Sequence, residues 1–144
     1  MDEFKNKDLK KSLLDRCESM DIPLVGVASV DRWKTPPFLP WVPKEFHPQS
    51  MYPEAKSVIV IGLPISLPVL ETSPSIYYRE LYTTVNTLLD QYTYRLANFL
   101  NDNGKASVFV PRDGYGSIQE LVENPIAFFP TGMPLCLLGL ERLV

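Results

Sequence analysis

The chain has 144 residues, the size of one domain, and by surface scaling such a length buries roughly 68–70% of its unfolded surface, enough for a core without covalent staples. A net charge of −3 and an isoelectric point near 5.1 exclude the basic surface that nucleic acid or anionic lipid would need. Two cysteines, Cys17 and Cys136, form no Cys-x-x-Cys pair and His47 is the single histidine, which excludes a disulfide framework, a zinc site and a Ser-His-Asp triad with histidine to spare.

The first eight residues mix charges and do not lead into an apolar run, so no signal peptide is expected. Prolines interrupt the uncharged stretches 57–70 and 124–140 before either reaches the length of a membrane span. The expectation is a cytoplasmic protein without a membrane segment.

Leu9, Leu13 and Cys17 recur at i, i+4 and i+8, with Leu14 and Met20 flanking them, and predict one apolar stripe on an otherwise charged N-terminal helix. Asp21-Ile22-Pro23 stops it. Residues 24–30 are short, apolar and β-branched, as a buried strand should be, and Gly26 allows close approach of a neighbour. From 36 to 53, six of 18 residues are proline, with Phe38, Trp41, Phe46 and Tyr52 between them and Trp33 just ahead. Proline keeps this segment out of a sheet interior, while its aromatics predict an extended wrap over the core.

Residues 57–63, Ser-Val-Ile-Val-Ile-Gly-Leu, form the strongest strand signal, apolar on both faces, which calls for cover on each side. Pro64, Pro68 and Pro74 break up the next dozen residues. A long helical pattern then begins at Tyr78 with Leu81, Val85, Leu88, Leu89, Tyr92, Leu96, Phe99 and Leu100, and Asn103-Gly104 closes it as a left-handed cap. The tyrosines at 77, 78, 82, 92 and 94 suit either the face of a flat cofactor or a core or interface position.

A third strand starts at Ala106 and runs into the corner Pro111-Arg112-Asp113-Gly114-Tyr115-Gly116, after which Ser117 and Glu120 match the capping box of a further helix. Free N–H groups of that first turn, beside Arg112, suit a phosphate or carboxylate; the alternative is an ordinary glycine-rich connection with Arg112 and Asp113 in solvent. The cofactor-binding candidates are therefore Arg112, Gly114, Tyr115, Gly116 and Ser117. The pattern as a whole predicts an α+β chain with three strands in one mixed sheet, an N-terminal helix and one long helix. So thin a sandwich invites a homodimer or a partner domain on its second face.

Tyr52-Pro53-Glu54-Ala55-Lys56-Ser57-Val58-Ile59-Val60-Ile61-Gly62-Leu63-Pro64 resembles a segment of the epoxyqueuosine reductase family, iron–sulfur and cobalamin proteins related to reductive dehalogenases. The helix from Tyr78 with Arg79, its Leu96-Ala97-Asn98-Phe99-Leu100 end, and the strand 107–110 with Asp113 beyond it stand in the order that family uses; the resemblance covers about residues 24–129. It implies a nitroreductase-like half domain over 1–129 that forms part of a cavity for cobalamin or FMN. It also implies Asp113 as a general acid, against which stands the plain alternative of a turn aspartate bonded to its own backbone. The family's two [4Fe-4S] clusters need eight cysteines, and this chain has two, so the resemblance implies no cluster here. Residues 130–144 depart from the family pattern and are expected to be an atypical tail, from truncation or a frameshift. The function expected is a cofactor-binding domain of an iron–sulfur oxidoreductase, inactive alone; the alternative is a small-anion-binding or self-associating interaction module.

Overall fold

A computed structural model describes residues 2–36, 44, 47–110 and 135–138 of the chain, with side chains described for 7–36, 44 and 47–110. Helix α1 spans Asp2–Ser19 and ends where Asp21 takes a left-handed conformation, φ 56°. Ile22 N–H donates to Cys17 O (3.0 Å) and Asp21 N–H to Glu18 O (3.0 Å), the paired bonds of a Schellman motif. Strand β1 (Leu24–Ser29) comes next, then a 3-10 turn (Val30–Lys34) capped by the Ser29 hydroxyl, which accepts from Asp31 N–H. A single-turn helix α2 (Pro48–Met51) precedes strand β2 (Ser57–Gly62), and a short helix α3 (Leu67–Leu70) precedes the 27-residue helix α4 (Ile76–Asp102). Strands β3 (Ser107–Val110) and β4 (Leu135–Leu138) complete the described elements.

Ser75 caps α4, its hydroxyl accepting from Tyr78 N–H at 3.1 Å, so the helix starts at Ile76, two residues ahead of where the apolar pattern begins. At the other end Gly104 at φ 74° places its N–H on Asn101 O and that of Lys105 on Leu100 O. A Cβ at Gly104 would meet nothing within 4 Å, so glycine is required there by the backbone conformation alone.

The sheet has four strands in the order β1-β2-β4-β3, every neighbouring pair antiparallel, where three strands in a mixed sheet are expected from the sequence. The correction has a simple cause. Strands β2 and β3 do run the same way, as a strand–helix–strand crossover through α4 requires, but β4 lies between them and opposes both. The strand comes from the segment expected to be a tail.

Both faces of β2 are covered. Ile59 and Ile61 point into a core built with Leu9, Leu13 and Cys17 of α1, Ile22, and Leu89, Leu96, Ala97 and Leu100 of α4. On the opposite face Val58 joins Val30 and Ala55, with Trp33, Met51, Tyr52, Val60 and Val110 packed around them. The 3-10 turn and α2 thus cover that face, and the excursion from β1 to β2 begins and ends at one place, Val30 N–H donating to Lys56 O at 3.1 Å. The parts expected of the wrap at Phe38, Trp41 and Phe46 lie outside the described residues.

Candidate functional site

Helix α4 is longer than the sheet beneath it. At 1.5 Å per residue, 27 residues reach about 40 Å, while the six residues of β2 extend about 20 Å. Tyr78, Tyr82, Val85, Leu89, Thr93, Leu96 and Leu100 succeed one another at spacings of three and four and so share one stripe. From Leu89 onward that stripe is sealed, with Thr93, Leu96 and Leu100 at 0% exposure. Ahead of Leu89 no residue of the helix is buried, and Tyr82, on the line that points to the core, is 56% exposed.

Under this overhang lies a cleft of about 280 Å³. Ile61, Gly62 and Leu63, at the end of β2, form one wall, Ile65 and Leu70 a second, and Tyr78, Leu81, Tyr82, Val85, Asn86 and Leu89 the third. Among the described lining residues the polar side chains are few: Tyr78, Tyr82 and Asn86, whose Nδ2 donates to Tyr82 O at 2.7 Å. Leu67 of α3 and Ile76 and Tyr77 in the first turn of α4 are exposed as well. Strand β3 ends, at Val110, on the same end of the sheet as the cleft.

Arg112, Asp113, Gly114, Tyr115, Gly116 and Ser117 lie outside the described residues. The tyrosines divide by position: Tyr78 and Tyr82 line the cleft, Tyr92 packs on the core, and Tyr94 meets the Phe109 ring edge-on at 5.6 Å. Ile61 to Ile65 read as a strand end and a proline break, and nothing in their pattern marks a cleft.

Cys17 is free and buried, and loss of hydration pushes its thiol up to about 11. Such a thiol stays protonated near neutral pH and is a poor nucleophile. Among the described residues no group of three or more His, Cys, Asp and Glu side chains could hold a metal ion, and no helix is long and apolar enough to cross a membrane. The ion pairs Lys34–Asp31 (3.3 Å) and Arg79–Glu80 (3.4 Å) are exposed on both sides and contribute little. The chain is thus an α+β protein with an apolar cleft at one end of its sheet. No family model, curated protein or solved structure matches it.

The fit of cobalamin or FMN to the cleft can be judged from its walls. Apolar side chains and two tyrosines suit the face of a ring system, but among the described residues no cationic side chain lines the cleft to hold a flavin phosphate, and its volume falls just below that of a typical ligand pocket, roughly 300–1,000 Å³. The described residues alone therefore do not fit either group.

Proposed function

We propose that this chain is an interaction domain whose overhanging half of α4, with the cleft beneath it, receives an apolar group brought by another polypeptide or by a small ligand. One observation carries this: Tyr82 stands on the same helix line as Leu89, Leu96 and Leu100, yet is more than half exposed because the sheet ends below it. An apolar stripe that runs on past its own floor gains burial only from something added. At about 25 cal/mol per Å² of apolar area covered, even a modest occupant offsets several kcal/mol of association cost.

A second reading has its own support. The two segments that resemble the epoxyqueuosine reductase family, the one ending at Gly62-Leu63-Pro64 and the helix carrying Tyr78, face each other across the cleft. On that reading the described residues are one wall of a redox-cofactor cavity in a nitroreductase-like half domain, and the rest of the cavity, with Arg112 and Asp113, is completed elsewhere. The domain would then be inactive as a catalyst without that completion.

One titration separates the two. The protein is mixed with anilinonaphthalene sulfonate, hydroxocobalamin or FMN, and fluorescence or absorbance is followed for wild type and Tyr82→Glu. The interaction reading predicts that the apolar dye binds, that Tyr82→Glu weakens it about tenfold, and that neither cofactor binds. Saturable binding of a cofactor that Tyr82→Glu abolishes supports the second reading. No binding of any of the three by wild type ends both.

A further inference from the structure

The two edges of the sheet are finished differently. At the β3 edge the side chain of Asn101, on the last turn of α4, stands where a fifth strand would be: Ser107 N–H donates to its Oδ1 at 2.8 Å and Ser107 O accepts from its Nδ2 at 3.1 Å. Because hydrogen-bonding direction alternates along a strand, Val108 and Val110 face β4, and of the outward groups only those of Phe109 are left. Asn101 thus closes the edge with a side-chain amide in place of backbone.

The β1 edge has no such plug among the described residues. Val30 N–H bonds Lys56 O in register with the pairs running from Leu24↔Gly62 to Ser29↔Ser57, so Leu24, Gly26 and Ala28 bond toward β2. Val25 and Val27 therefore present their N–H and C=O groups outward. The strand is Leu-Val-Gly-Val-Ala-Ser, with no charge, no proline and no bulge, the devices by which natural edges are usually blunted. Pro23, without an N–H, bounds the open stretch on one side, and the turn capped by Ser29 bounds it on the other.

We propose that two copies of this chain join through β1 into one continuous antiparallel sheet of eight strands, with Gly26 of each copy facing its counterpart on the two-fold axis. In that register Val25 of one copy lies opposite Val27 of the other and the two pairs exchange four backbone hydrogen bonds. The pair on the axis is then of the closely spaced kind, about 4.5 Å between Cα atoms, and glycine is the residue that suits it. The occupant is a second copy because the arrangement is self-complementary and closes: pairing uses up both open edges, and the two outer edges that remain are those plugged by Asn101. This inference is independent of the cleft and of what fills it.

The test is light scattering on the whole chain over a concentration series, with hydrogen exchange at Val25 and Val27. Wild type is expected at twice the 16.4 kDa chain mass, with both amides protected. A Cβ at Gly26 would meet nothing within 4 Å, so Gly26→Lys leaves the single copy intact while setting like charges opposite each other on the axis. It is expected to raise the dissociation constant by about tenfold or more with an unchanged circular dichroism spectrum. In Asn101→Ala the unplugged β3 edge is expected to let mass grow beyond the dimer. A monomeric wild type at every concentration overturns the proposal. So does a dimer that Gly26→Lys leaves as tight as before, or one in which Val25 and Val27 exchange freely.

Discussion

One helix, two environments: from Leu89 to Leu100 the stripe of α4 is pressed against β2 and α1, and from Ile76 to Leu88 the same helix has no buried residue. The residue types hardly differ. Tyrosine and leucine occur at helical spacing in both halves, so the difference is made by the length of the sheet, which ends at Gly62 while the helix continues. Periodicity tells which side of a helix is apolar; it does not tell how much of that side has something to lean on.

The largest expected effect tests this contrast directly. Leu96→Ala opens a cavity in the sealed half and should cost about 2–5 kcal/mol in urea unfolding, whereas Tyr82→Ala, one half-helix away on the same line, should stay within about 0.5 kcal/mol. Equal costs would mean that the front half is packed after all.

The sealed half also carries a pH signature. Burial raises the Cys17 thiol from 9.0 to about 11, so the unfolded chain loses this proton first as pH rises. Stability from the neutral thiol is present in full below pH 9 and is lost between there and about pH 11, by about 3 kcal/mol. Cys17→Val removes that loss, so the gap in unfolding midpoint between variant and wild type should change steeply over this window and stay flat at lower pH. A constant gap would show that Cys17 is solvated.

The two ends of α4 sharpen the comparison further. Gly104→Ala strains the cap of the sealed half and should cost about 1 kcal/mol of global stability. Ser75→Ala removes a cap that ordinarily contributes about as much, but it caps the half that opens locally, so its global cost should be smaller than that of Gly104→Ala. The smallest effect is Ser57→Ala. The Ser57 hydroxyl is 1% exposed and has no hydrogen-bond partner among the described residues, so its removal should be neutral or stabilise by up to about 1 kcal/mol.

How much of this is written in the sequence varies with the range over which each feature is determined. Leu9, Leu13 and Cys17 face the core as their spacing predicts, and the doubly apolar β2 is covered on both faces, because each rests on local pattern. Gly104 closes α4 for a reason confined to its own backbone. The sheet is different: its all-antiparallel order depends on Leu135-Cys136-Leu137-Leu138 entering between β2 and β3, a pairing across more than seventy positions that no local pattern announces. The cleft is hidden for a similar reason, since it is a mismatch of lengths between a strand and a helix. The Asp113 corner, the feature of the sequence most suggestive of chemistry, lies outside the described residues and leaves the redox reading resting on the cleft alone.

Amide hydrogen exchange along α4 tests the central claim most directly, because it reads the two halves of one helix in one sample. A front half without a floor predicts protection at the level of global unfolding for Thr93, Leu96 and Leu100, and protection at least about a hundredfold weaker for Tyr82 to Leu88 in the free chain. Uniform protection from Tyr82 to Leu100 would contradict it, since a half-helix that opens only with the whole molecule has no vacant face to offer.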